Sequence, residues 1–247
     1  FNTWSNGQLM NKTATFNIEN TIPKKYPEFW NQYFCNGFNK AYSNTYNVGH
    51  KFENCSNMYG NVFVPPLGND YNHRVINGQS MFCNCYNITG QPEVYKFMDC
   101  TAWMYQRCNN ITGDAVLPNY FGTAHCDAQY MYYACTNLNG NIPYIQNGAS
   151  NHSTHYTFCD CHNLRVVNSH AIENAYWLQG TFQMCNNLTF ENNNFYSRYP
   201  NYSYYIDDMF SGCSNITGNI MIYGAALSNT YVGNFAINRV GNKPLNI

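Results

Sequence analysis

The chain has 247 residues, only 10% of them charged, and a formal net charge of −1. Soluble globular domains carry roughly 25% charged residues, so there is no electrostatic footprint for nucleic acid and no basic amphipathic stretch for a membrane surface. No run of about 18 apolar residues is present to span a bilayer, and polarity comes instead from 42 Asn and 23 Tyr, side chains that hydrogen-bond without a long-range field.

Residues 1–50 read as an N-terminal cap or linker. They hold Trp4, Pro23, Pro27 and Trp30, and resemble the repeat that follows only in a degenerate unit near 34–39, FCNGFN, where Gly37 stands at the cysteine position. No signal peptide is visible, and the start at Phe1 suggests a processed product or the ordered part of a longer chain.

From residue 51 a ten-residue phrase recurs: KFENCSNMYG at 51–60, MFCNCYNITG at 81–90, MYQRCNNITG at 104–113, MYYACTNLNG at 131–140, TFCDCHNLRV at 157–166, TFQMCNNLTF at 181–190 and MFSGCSNITG at 209–218. Its aromatic falls at Phe52, Phe82, Tyr105, Tyr132, Phe158, Phe182 and Phe210, in steps of 30, 23, 27, 26, 24 and 28 residues. Its cysteine falls at Cys55, Cys85, Cys108, Cys135, Cys161, Cys185 and Cys213. A period of about 26 residues marks units that cannot bury an apolar face alone and must stack on their neighbours. The expectation is a repeat solenoid of seven units over 51–234, with short parallel β-strands, short helical turns or loops and little helix. A C-terminal cap follows over 235–247, where Phe235 keeps the step and lacks the cysteine.

Counted from the aromatic as position 0, the cysteine is at +3, an Asn at +5, an aliphatic at +6 and Thr-Gly at +7 and +8. The aromatic and cysteine can both face inward from one short helical turn. The Asn is expected to satisfy backbone groups where the chain turns, and repeated on every unit it can form a ladder. Thr-Gly marks a tight turn that favours φ > 0. Short β runs follow at 62–64, 115–117, 142–144 and 220–222, closed or interrupted by Pro65, Pro118 and Pro143. The phrase cysteines read as buried thiols acting as small apolar fillers. Of the remaining Cys35, Cys83, Cys100, Cys126 and Cys159, only Cys100 and Cys126, at similar offsets in adjacent units, are candidates for a disulfide.

The stretch between phrases varies in length and carries most of the Tyr, His and Trp, the pattern of loops on a binding face. The richest is 196–208, with Tyr196, Tyr199, Tyr202, Tyr204 and Tyr205 beside Arg198 and Asn201. Tyr offers a rigid amphipathic contact, so these five are the candidate binding residues, with a lid folded over the stack as the competing arrangement.

No catalytic residue, metal or cofactor is expected. His152 and His155 lie in a polar loop without a carboxylate. The pairs Cys83/Cys85 and Cys159/Cys161 are three units apart, too far to share a zinc ion. Adjacent Asp207 and Asp208 fit a turn better than the spaced carboxylates of a glycosidase, and no phosphate-binding or nucleophile-elbow phrase occurs. Of eight Asn-x-Ser/Thr sequons, Asn87, Asn110, Asn187 and Asn215 are repeat positions expected to face the structure, while Asn11, Asn151 and Asn201 are freer.

The F-x-x-C-x-N-[LI]-T-G phrase over roughly 50–247 resembles the BspA-type leucine-rich repeats of bacterial surface proteins, and most of all the Asn- and Tyr-rich variants in phage tail and host-recognition proteins. The resemblance implies a curved solenoid, an extracellular or virion location and no catalytic residues. It points to a non-enzymatic, adhesin-like or tail-fiber-like module whose partner is a host surface glycan or protein. The alternative is a structural virion or filament component packed against neighbouring subunits, and a polysaccharide-cleaving solenoid is the enzyme alternative. Homo-oligomerisation stays open; nucleic acid and membrane insertion are not expected.

Overall fold

The computed structural model describes residues 3–5, 8–10, 24–25, 45–62, 64, 74–94, 98, 100–118, 126–144, 152–173, 175–198, 205–223 and 245–246. Among these, helix is confined to one three-residue 3-10 turn, Glu191–Asn193. The rest of the regular structure is short strand. Thr3–Ser5 and Gln8–Met10 pair antiparallel; all other strand pairs among the described residues are parallel.

The parallel pairs fall in two places relative to the phrase. Before the aromatic, Thr45–Asn47 pairs with Arg74–Asn77, and His152–Ser153 pairs with both Cys126–Asp127 and Ala175–Trp177. After it, Met58–Asn61 lies between Lys24–Lys25 and Ile88–Thr89. Further along, Val166–Val167 pairs with Thr189–Phe190. Gly218–Tyr223 lies between Asn194–Arg198 and Leu245–Asn246. Single bridges, Gly90 to Ile111, Cys100 to Asp127, Ile142 to Val167 and Trp177 to Tyr205, continue both sets. Of the β runs expected from sequence, only 220–222 lies in a strand. Residues 115–117 are not strand, and Ile142 makes one bridge. The backbone at the other runs finds isolated partners instead: Val62 N–H donates to Thr89 O, Ala115 N–H to Asn141 O, and Val64 N–H to the Glu93 carboxylate.

Between the two sets lies the block from −4 to +3, which is not the helical turn that the sequence suggested. It is a run of overlapping β-turns. In the Phe82 unit Met81 N–H donates to Gly78 O, Cys83 N–H to Ser80 O and Cys85 N–H to Phe82 O. Positions −2 and +2 have positive φ in all seven units, from His50 and Asn54 to Asp208 and Gly212. That is the type II pattern at the third residue of a turn. A helix directs every N–H along its own axis; here alternate N–H groups leave the unit.

Those groups build a ladder. The N–H at −4, −2, 0 and +2 of each unit donates to the carbonyl at −5, −3, −1 and +1 of the next, at 2.8–3.1 Å over all six steps. In the step from Tyr105 to Tyr132 the donors are Thr101, Trp103, Tyr105 and Arg107, and the acceptors Asp127, Gln129, Met131 and Tyr133. A left-handed residue other than Gly costs about 1–2 kcal/mol, and a net hydrogen bond returns about 0.5–1.5 kcal/mol. Two of the former and four of the latter per unit nearly cancel, so apolar burial decides the stability.

That burial is columnar. The seven rings at position 0 are at most 3% exposed and stack at centroid steps of 5.3–5.8 Å with planes within 11°. Offset stacks at such separations add about 0.5–1.5 kcal/mol per pair beyond burial. Beside them run Met81, Met104, Met131 and Met209 at −1 and Ile88, Ile111, Leu138, Leu164 and Leu188 at +6, all buried. Two column residues are Tyr, and each buried hydroxyl has an acceptor: Tyr105 donates to Glu93 O and Tyr132 to Val116 O.

Phe158→Ala removes a ring stacked on both sides and is expected to cost about 3–5 kcal/mol. Urea unfolding should show this loss, with the units flanking 158 melting before the rest. A change below about 1 kcal/mol, far under the cost of emptying a core site, would show that the column does not hold the units together.

Candidate functional site: an outward aromatic strip

On the opposite side of the turn block, positions −5, −3, −2 and +1 carry a cluster of mostly half-buried aromatic and polar side chains. At −2, three successive units hold Trp103, Tyr130 and Tyr156, half-buried and stacked at 6.1 Å and 5.1 Å with planes 10° and 16° apart. The row stops at Gly180, also at −2. A Cβ there would stand 2.3 Å from the Tyr156 ring, and the residue has φ +56°. A second row begins at His155, which stacks on Trp177 at 4.7 Å; Trp177 in turn meets Tyr205 at 5.4 Å. Edge contacts join the rows: Tyr130 meets His155 at 5.5 Å and Tyr133 at 5.6 Å, and His155 meets Tyr156 at 6.1 Å.

The strip is held and edged by polar groups. Ser153 Oγ and His155 Nδ1 are 2.7 Å apart, and burial lowers the His155 pKa, which favours the neutral imidazole. Gln179 Nε2 donates to Asp207 Oδ2 at 2.6 Å, and Gln129 donates to Asp127 through its backbone and side-chain N–H groups. Burial raises the Asp127 pKa against those two hydrogen bonds. Cys83 and Cys159, both at +1, donate to the side-chain amide oxygens of Gln106 and Gln183, the +1 residues of the next units. The Trp177 indole nitrogen is buried without a hydrogen-bond partner.

Of the five tyrosines named from sequence, the structure places two. Tyr196 is half-buried, its ring stacked on His170 at 4.5 Å, and its N–H donates to Ser169 O. Tyr205 is 44% exposed and is the last ring of the second row among the described residues. Tyr196 lies in the strand set after the aromatic and Tyr205 at the bridge before it. Tyr199, Tyr202 and Tyr204 lie outside the described residues. Trp103, Tyr130, Tyr133, His155, Tyr156 and Trp177 were not singled out from sequence. The available signal was alignment on the ring, which puts an aromatic at −2 in three consecutive units.

The remaining motifs resolve locally. Asp207 is 7% exposed and accepts from Gln179, while Asp208 is a left-handed turn residue. Among the described residues no three of His, Cys, Asp and Glu gather as metal ligands. The side chain of Cys126, and with it the suggested Cys100–Cys126 pair, lies outside the described residues, as do Asn11, Asn151 and Asn201. The repeat sequons correct an expectation: Asn87, Asn110, Asn187 and Asn215 are exposed rather than turned inward. The ladder that they form runs along the surface, where Asn87 donates to Ser56 O, Asn110 to Tyr86 O and Asn163 to Thr136 O in the preceding unit.

The phrase cysteines have a specific contact. Each Sγ from Cys85 to Cys213 lies 2.8–3.0 Å from the carbonyl oxygen of the preceding unit's ring residue: Cys85 on Phe52, Cys108 on Phe82, Cys135 on Tyr105, Cys161 on Tyr132, Cys185 on Phe158 and Cys213 on Phe182. All seven are thiols. Burial pushes these thiols up, Cys213 to about 12 and Cys161 well above the ordinary 9.0.

No family model, curated protein or solved structure matches this chain.

Two outcomes follow from the thiol column. Cys108, Cys135, Cys161, Cys185 and Cys213 should resist a thiol-selective reagent in the folded chain and react on unfolding, read by peptide mass mapping; ready native labelling of them contradicts their burial. The unfolded thiols ionise near 9.0 while the folded ones stay protonated. The unfolded state then binds fewer protons, so stability is full below that pH and falls as pH rises through the folded values. The slope is about 1.4 kcal/mol per pH unit for each thiol. Melting temperature should therefore drop steeply above pH 9, less so in Cys161→Ala, and a flat profile contradicts the assignment.

Proposed function

We propose that the chain is a leucine-rich-repeat-like solenoid, capped over 1–50 and 235–247, that acts as a non-enzymatic binding module on an extracellular or virion surface and recognises a host glycan or surface protein. The aromatic strip carries this reading. Seven rings, Trp103, Tyr130, Tyr133, His155, Tyr156, Trp177 and Tyr205, lie together partly open to water. Rings with an apolar body and a polar rim are enriched where proteins meet partners. The low charge of the chain fits short-range recognition rather than steering. Low helix content and short parallel strand pairs agree with the repeat architecture.

The test is binding of the labelled full chain to immobilised panels of glycans and cell-surface proteins, with sedimentation of the same sample. Saturable binding to a panel member by a non-polymerised chain is expected. Growth into filaments or rings without panel binding would replace this reading by a structural subunit.

A further inference from the structure

Resting on the surface-binding reading above, we infer that the strip is a binding site for a linear, neutral glycan chain laid along the direction in which the units stack. The first argument is period. The rows cross five successive units, and their rings recur at 6.1, 5.1, 4.7 and 5.4 Å. A partner that meets each unit in the same way must itself repeat on that length, which is about the length of one pyranose ring along an extended polysaccharide. Outside its sheets, where strands recur at about 4.7–4.9 Å, the surface of a globular protein offers no such repeat.

The second argument is chemistry. Stacking covers ring faces along the rows, so the strip offers ring edges and hydrogen-bonding rims, and a pyranose brings C–H groups and hydroxyls to meet them. Amides of Gln106, Gln129 and Gln183 stand in the same units and supply both donors and acceptors. The third is charge. From −5 to +3, the units bearing the strip hold Asp127, Asp160, Asp207 and Asp208 against Arg107, so a uronate or sulfated chain would meet like charge. A neutral chain meets none. The fourth is order. Tyr130 is fixed by a stack on each face, from Trp103 and Tyr156, and by edge contacts to Tyr133 and His155. Rings held in place before binding lose little rotamer freedom on contact.

The experiment uses the full chain and arrays of immobilised linear hexasaccharides, neutral (gluco-, manno-, galacto- and N-acetylglucosamine series) and acidic (uronate and sulfated series), alongside the protein panel. Affinities of hits come from calorimetry. A neutral hexasaccharide should bind, and Tyr130→Ala and Tyr156→Ala should each weaken it at least tenfold. Tyr144→Ala, at a 54% exposed tyrosine outside the strip, should leave it unchanged. Because Tyr130→Ala opens the stack, Tyr130→Phe serves as the second variant. It keeps the ring and the melting temperature and should still lose several-fold in affinity with the hydroxyl. Neutral-glycan binding that is unaltered in folded strip variants overturns the site while leaving the surface-binding reading intact. Binding confined to acidic glycans or to proteins overturns the partner class alone. No binding to any array or panel overturns both.

Discussion

Four backbone N–H groups of each unit donate to carbonyls of the next, and this ladder sets the spacing of everything carried on it. To send alternate N–H groups out of the unit, the chain must enter the left-handed region twice, at −2 and +2. Glycine does this freely, yet only Gly180 and Gly212 are glycine at these fourteen places; the others are residues as large as Trp103 and Arg107. The cost is tolerated because the same geometry turns −4, −1, 0 and +3 into the column and leaves −5, −3, −2 and +1 outside it. One backbone device thus produces both the ring column inside and the aromatic strip outside.

The cysteine follows from the same ladder. The carbonyl of the ring residue accepts the N–H of its own unit's cysteine and the Sγ–H of the next unit's cysteine, which occupies both lone pairs. The site requires a side chain small enough for a crowded column and able to give one weak hydrogen bond without a strongly hydrated atom. Cysteine meets this; alanine lacks the donor, valine adds branches, and serine brings a hydroxyl that costs more to bury. The phrase cysteines therefore reflect packing rather than cross-linking, and say nothing about redox compartment.

Low helix content and short parallel strands were legible because they rest on side-chain identity and period: a ring, a cysteine and an aliphatic return together about every 26 residues. The turn block was misread because a spacing of three puts two side chains on one side of a helix and on one side of tandem turns alike. Only the sign of φ separates them, and residues such as Tyr130 or Met184 give no hint of a positive value. The strands were placed too late in the unit, since pairing starts at +6 on Met58 and Ile88 rather than on the β-branched runs that follow. The strip escaped for a different reason. Position −2 reads His50, Ser80, Trp103, Tyr130, Tyr156, Gly180 and Asp208. It has no consensus residue, and its rings become a surface only when three units stack in register. The crowding of tyrosines at 196–205 drew attention by density in sequence, whereas Tyr196 rests on His170 and Tyr205 reaches the strip only as its last ring.

The most direct measurement of the ladder is residue-resolved amide hydrogen exchange on the native chain. The amides of Phe82, Tyr105, Tyr132 and Phe158, with those at −4, −2 and +2 of the same units, should exchange only through global or unit-by-unit unfolding. They should form the slowest set and shift together in Phe158→Ala. Fast exchange at these alternating positions, while the amides of the short strands stay protected, would contradict the account. The units would then be held by their sheets, and the outward strip would have no fixed period to offer a partner.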